Sequence, residues 1–237
     1  MKTAVARVCG FLLIWAVLFL AFSASVYHTA GDGDLLAREM LRHAPPEMTG
    51  LPEAEYPGTA RMIAAYLTGK EENFQYTFTD TDGQRYLCFQ PHEAEHMADC
   101  RELIRLAGTV RWVSGGIMLV LAGAGILLLR CRKAFAGGIF TGLCAAGLVL
   151  TGLVVWAAVN FDGLFVTFHR VVFTNEGWLL NPRTDLLIRL MPVSFFTALA
   201  AGVTLRMLAA MLAAGAAAWI MRKWEGIFRF AGKSCEL

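Results

Sequence analysis

The alternation of apolar and polar stretches divides the chain before any motif is considered. Residues 10–27, 107–129, 134–159 and 195–220 are four apolar runs, each near the ~20 residues that a helix needs to cross a bilayer. Between the first two lies a polar stretch, residues 31–106. Between the last two lies a segment, residues 161–194, that is neither a span nor an ordinary polar loop.

The polar stretch carries shorter periodicities of its own. "YPGTARMIAAYLTGK" puts Met62, Ile63, Tyr66 and Leu67 on one face of a short helix, with Gly69 as its C-terminal stop. "NFQYTFTDTDGQRYLCF" alternates on both sides of Asp82-Gly83 and predicts a β-hairpin. Pro91 then opens a second helix, with Glu93 and Glu95 in a first turn whose dipole favours acids. This helix runs on into the second span and carries His92, His96, Asp99 and Cys100 on one face.

In residues 161–194 and just beyond, Phe161, Phe165, Phe168, Phe173, Trp178, Phe195 and Phe196 are interleaved with His169, Arg170, Asn175, Asn181, Arg183 and Asp185. Rings beside such polar groups suit the headgroup level of a membrane. An interfacial loop without chemistry is the plain reading. A histidine at the centre of a mostly apolar run argues for function.

Composition agrees with a membrane protein: 57% hydrophobic, 17% charged, mean hydropathy +0.52. A net charge of +2 gives no electrostatic support for a nucleic-acid partner. The placement of charge says more. Lys2 and Arg7 precede the first span, "RCRK" joins the second to the third, and Arg222, Lys223, Arg229 and Lys233 follow the fourth. Short Lys/Arg-rich segments stay in the cytoplasm, so both termini are expected inside and residues 31–107 and 161–194 outside. The first outer segment holds fourteen acids against seven bases. A cleaved signal peptide in place of the first span would strand the basic tail outside. Cys131 and Cys235 then face the reducing side, whereas Cys88 and Cys100 lie where a disulfide can persist.

The expected fold is an all-α membrane protein of four transmembrane helices with a small extracytoplasmic α/β cap. Residues 1–30 form the first helix, 31–106 the cap, 107–160 helices two and three, 161–194 the interfacial segment, and 195–237 the fourth helix and cytoplasmic tail. Arg206, a cation within the fourth span, is read as steadying the bundle.

Two motifs compete for the chemistry. "HEAEH" fits the HExxH template of zinc peptidases, but the match is short and a third ligand is not evident. A solvated helix face explains His92 as well. The second motif is a combination. "HMADCRELI" and "FVTFHRVVFTNEGWLLNPRTDLLIRLMPVSFF" together resemble the membrane family of lipoprotein intramolecular transacylases, Lit. The resemblance rests on His96, Met97 and Asp99, then on Phe168, His169, Asn175, Trp178, Pro182, Asp185, Leu187, Ile188, Pro192, Phe195 and Phe196, with "AAYLTGK" around Tyr66 and the four-span layout.

That resemblance implies a reaction without a cofactor or a metal. One acyl chain of a lipoprotein's diacylglyceryl cysteine moves to the α-amino group of the same cysteine, giving a lyso-form lipoprotein. The implied partners are diacylglyceryl-modified lipoproteins and membrane lipid. It also implies His169 and His96 as the catalytic pair, one a base and one an oxyanion donor, with Asp99 fixing the His96 ring. Arg170, Asn175, Trp178 and Tyr66 would position substrate. A histidine with a pKa near 6.5 is matched to an α-amino group near 7.7. The place of His169 amid Phe165, Phe168 and Phe173, at acyl-ester depth, makes it the expected base and His96 the expected oxyanion donor, while either histidine could reach the amine. The competing classes are a zinc metallopeptidase and a non-enzymatic membrane scaffold or sensor.

Overall fold

The computed structural model describes residues 1–79 and 82–223. Four helices are long and apolar enough to span a membrane: α1 (Lys2–Gly31), α5 (Pro91–Leu127), α6 (Arg132–Val159) and α9 (Val193–Lys223). The shorter elements are α2 (Gly33–His43), α3 (Pro46–Thr49), α4 (Tyr56–Leu67), strands β1 (Thr77–Thr79) and β2 (Arg85–Leu87), α7 (Phe161–Val172) and α8 (Leu186–Leu190). One-turn 3₁₀ helices occupy Glu53–Glu55 and Leu129–Cys131. The expected architecture of four spans with a small α/β element is what the chain adopts. Of the expected basic tail, Arg229 and Lys233 lie outside the described residues, as does Cys235.

The chain divides into two compact units. One holds residues 1–24, 109–155 and 204–223 of the described residues. Here α1 and α6 meet backbone to backbone: a Cβ on Gly10 would collide with the Phe135 carbonyl, and one on Gly138 with that of Arg7. Ala6, Phe135, Ala136, Ile139 and Ala218 are buried around this contact. In lipid no hydrophobic drive pushes helices together, so small residues that permit close van der Waals packing do this work.

The other unit holds residues 25–108 and 156–203. Asp32 caps α2 by accepting from the Leu35 N–H at 2.9 Å. Leu36 and Met40 of α2 pack with Ala60, Ile63 and Ala64 of α4 in one buried cluster. Helix α4 closes at Leu67 with Thr68 as its C-cap, and Gly69 follows with a φ of 76°, the left-handed stop expected there. The hairpin forms with Phe78 opposite Tyr86, their rings stacked at 5.3 Å. Its strands are three residues each, shorter than the alternating pattern extends.

The segment after α6 is more regular than the sequence reading made it. Residues 161–172 form helix α7. Asn160 supplies the cap by accepting from the Gly163 N–H at 2.8 Å, and Asp162 stands in the first turn. Those two residues were the available signal. The surrounding aromatics and β-branched residues, poor helix formers, masked it.

Candidate active site

All the residues of the candidate site belong to the second unit. His96 stands on the polar first part of α5, before the apolar run begins at residue 107, and His169 on the last turn of α7. Both are 8% exposed, and their ring centroids are 6.2 Å apart. Phe173 contacts both, with centroids 5.2 Å from His96 and 5.5 Å from His169. Phe165, Phe168 and Trp178 lie 4.1, 5.4 and 5.1 Å from His169. Residues 73 positions apart thus meet inside an aromatic enclosure.

Each ring is held differently. His169 Nδ1 lies 2.7 Å from the Phe165 carbonyl one turn back. A carbonyl only accepts, so Nδ1 carries the proton and the neutral ring keeps a bare lone pair on Nε2. Burial lowers the His169 pKa from its ordinary 6.5, against the opposing pull of the Phe165 carbonyl. His96 is pushed further down, to about 4, by burial first and by the neighbouring His169 second. Its Nε2 lies 3.6 Å from the Cys100 sulfur, while Nδ1 is buried with no hydrogen-bond partner among the described residues. Burial raises the Cys100 thiol to about 12, so the sulfur keeps a proton that it can donate to Nε2. In that arrangement the His96 proton sits on Nδ1.

Asp99 departs from expectation. It does not hold the His96 ring; it accepts from Asn175 Nδ2 at 2.8 Å. On a helix the residue at i+4 overlies residue i, and that is Cys100. The i+3 residue also neighbours it, but here Asp99 is engaged by the loop after α7 instead. Asn175 is therefore held by Asp99, and its own Oδ1 accepts from the Gly177 N–H at 2.9 Å, shaping the turn before Trp178.

Tyr66 is buried in α4, where its ring meets Phe74 edge-on at 5.2 Å and lies under the Arg101 guanidinium at 4.9 Å. Its contacts are with this core and not with the histidines. Arg170 is exposed on α7. Cys88 and Cys100 are both free thiols.

The two histidines of "HEAEH" have separate partners. His92 Nε2 pairs with Asp185 Oδ2 at 2.9 Å, while His96 contacts Cys100. The Asp185 contact raises the His92 pKa above 6.5, so His92 is not simply a solvated side chain. The sequence reading also missed Glu93, a fully buried carboxylate. Its position on the same helix as His92 was visible, but its partner lies 94 residues away.

Comparison with known proteins bears on this arrangement. The family model described as lipoprotein intramolecular transacylase Lit matches residues 11–196. A solved structure of the membrane-integral lipoprotein intramolecular transacylase Lit from Bacillus cereus aligns at 18% identity and a TM-score of 0.74, covering 94% of this chain and 99% of that one. A second structure of that protein, with a histidine-to-arginine mutation, aligns at 17% identity and a TM-score of 0.69, over 95% and 96% of the two chains. At these identities the structural likeness is one of fold. No curated protein sequence matches.

Proposed function

We propose a mechanism from one premise: this chain belongs to the Lit family of lipoprotein intramolecular transacylases. It is a multi-pass membrane acyltransferase. It moves an acyl chain from the diacylglyceryl group of a lipoprotein's N-terminal cysteine to that cysteine's α-amino group. Nucleophile and ester belong to one molecule, so holding them together supplies much of the rate without a covalent enzyme intermediate.

The observation that carries the assignment of roles is which ring nitrogen each neighbour leaves free: Nε2 on His169, whose Nδ1 is taken by the Phe165 carbonyl, and Nδ1 on His96, whose Nε2 faces the Cys100 sulfur. His169 Nε2, with its free lone pair, is the general base that takes a proton from the α-amino nitrogen as it attacks the ester carbonyl. His96 Nδ1–H donates to the oxyanion that forms there. As the tetrahedral intermediate collapses, the C–O bond to glycerol breaks and the proton on His169 passes to the leaving oxygen. The new amide and the freed hydroxyl balance the reaction, and both rings return to their starting states. Phe165, Phe168, Phe173 and Trp178 exclude water and suit acyl chains, and a low-dielectric surround strengthens the oxyanion contact. Asp99 and Asn175 support the turn that carries Trp178.

The basic residues Lys2, Arg7, Arg222 and Lys223 support cytoplasmic termini and a site on the extracytoplasmic face. Mass spectrometry of lipoprotein N-termini tests the reading. Cells making the wild-type chain are expected to accumulate the N-acyl, S-monoacylglyceryl form. Cells making His169→Ala are expected to keep the diacylglyceryl form, with a rate about 10²–10⁴-fold lower. A His169→Ala chain that works at the wild-type rate would end the proposal.

A further inference from the structure

Two buried carboxylates, Glu93 and Asp185, join the start of α5 to the start of α8. Asp185 immediately precedes α8, where an aspartate ordinarily caps its own helix, yet its side chain makes no bond to the α8 backbone. It turns away instead, accepting from the Asn181 N–H at 2.8 Å, from the Thr184 hydroxyl at 2.6 Å, and pairing with His92 on α5. The first turn of α8 is capped from α5: Glu93 Oε1 accepts the Leu187 N–H at 2.6 Å. The other oxygen of Glu93 accepts from the Gln90 N–H at 2.7 Å, the return bond of a capping box at the start of α5. One carboxylate therefore serves the first turns of two helices, and Asp185 ties the same two segments a second time through His92.

We propose that Glu93 and Asp185 are positioning residues of the transacylation, a reciprocal clamp that sets the distance between His96 and His169. His96 follows Glu93 by three residues on α5 and moves with it. His169 is reached from α8 through the chain: α8 leads into α9, where Phe196 packs on Phe165 at 5.2 Å, and Phe165 carries both the ring and the carbonyl that orient His169. Phe195, Leu187 and Leu190 are buried in the same cluster as Met97, the neighbour of His96. The Asp99–Asn175 bond ties the loop after α7 to α5 on the other side of His96. A buried carboxylate with two backbone donors tolerates little displacement, because moving it strands both donors.

The clamp rests on the reading of the two histidines as the reacting pair, and the test separates the two claims. Purified full-length protein in lipid nanodiscs is given a synthetic diacylglyceryl lipopeptide, and kcat and KM are measured for Glu93→Gln, Asp185→Asn and His92→Lys, each alone and in a His169→Ala background. Glutamine can accept one backbone bond but not two. An error of about 1 Å in placement costs on the order of a hundredfold, so Glu93→Gln and Asp185→Asn are expected to lower kcat ten- to a hundredfold at nearly unchanged KM. His92→Lys keeps a cation beside Asp185 and is expected to restore most of what His92→Ala loses. In the His169→Ala background Glu93→Gln is expected to cost almost nothing more, since nothing remains to be positioned. Wild-type kcat in Glu93→Gln and Asp185→Asn, beside an inactive His169→Ala, would overturn the clamp and leave the histidine pair standing. So would equal losses in both backgrounds, which mark a merely structural role. A fully active His169→Ala overturns the histidine pair itself.

Discussion

The two units of this protein are held by different means. In the unit built from the apolar halves of the long helices, α1 and α6 touch main chain to main chain, where Gly10 and Gly138 leave no room for even a methyl group. In the other unit, buried polar groups set the register. The Tyr56 hydroxyl donates to the Ala44 carbonyl and meets Thr49 Oγ1 at 2.7 Å, and the Glu93 and Asp185 carboxylates are 0% and 2% exposed. Shape specifies the first, and donors and acceptors specify the second. The difference follows from solvent. Among lipid tails a side chain gains little by leaving its surroundings for another apolar one, so closeness decides. In a core that buries polar groups an unpaired donor costs about 1–3 kcal/mol, so pairing decides.

The comparison is broken most severely at Gly138. A leucine there is expected to drive α6 off α1 and leave little folded protein in the membrane, by overlap with backbone that has no rotamer to yield. Yield after detergent extraction and size-exclusion chromatography measures this. The substitution Gly152→Leu on the same helix meets open space and is expected to be tolerated. Equal yields for the two would remove the shape argument.

Next in size is His96→Ala, which is expected to lower kcat about 10²–10³-fold, as loss of an oxyanion donor does, with extraction yield unchanged. Cys100 sharpens this. Serine there can still donate to His96 Nε2 and is expected to retain more activity than alanine, which frees the tautomer. The order of the two kcat values is the measurement.

The polar unit is also the one sensitive to pH. Both histidines have pKa values below their unfolded 6.5, to about 4 for His96. Below pH 6.5 the unfolded chain binds protons that the native site refuses, so stability falls as pH drops from there toward 4. The acid limb of kcat is expected below pH 6.5, because His169 stays an acceptor until then. Melting and kcat series between pH 4 and 8 check both, and a rate that already declines between 8 and 7 through His169 itself would contradict the burial argument. Smaller still is Tyr56→Phe, expected to cost about 1–3 kcal/mol in thermal unfolding while kcat per folded molecule holds.

The same division governs what the sequence revealed. The spans were legible because an apolar run is a one-dimensional signal, and the start of α5 because Pro91 and its acids act locally. His169 stood out as a polar residue among rings, and its nearness to His96 came from a combination of motifs and not from either alone. What escaped was every polar bond between distant segments. Asp99 looked like a partner for His96 because it lies three residues along, and its true partner is Asn175, 76 residues away. Glu93 looked like a dipole-favoured surface acid, and it is buried because α8 covers it. Helix α7 was hidden for the opposite reason, since its cap was local but its ring-rich interior argued against a helix.

The smallest expected effect is at His92, and it separates the exposed edge of the polar unit from its buried centre. The His92 side chain is 53% exposed where it meets Asp185, and ion pairs of that kind contribute about 0–1 kcal/mol. Asp185 keeps its bonds from Thr184 and Asn181 without it. His92→Ala is therefore expected to lower kcat by less than about tenfold, well short of the loss from Glu93→Gln. The effect is expected to depend on pH. The Asp185 contact holds the His92 pKa above 6.5, so the pair is charged below that raised value and its contribution is lost as pH rises through it. The gap between His92→Ala and wild type should then narrow at alkaline pH. A loss as large as that of Glu93→Gln, or a gap that widens with pH, would show that the edge carries weight assigned here to the centre. The comparison is kcat for both variants at matched pH.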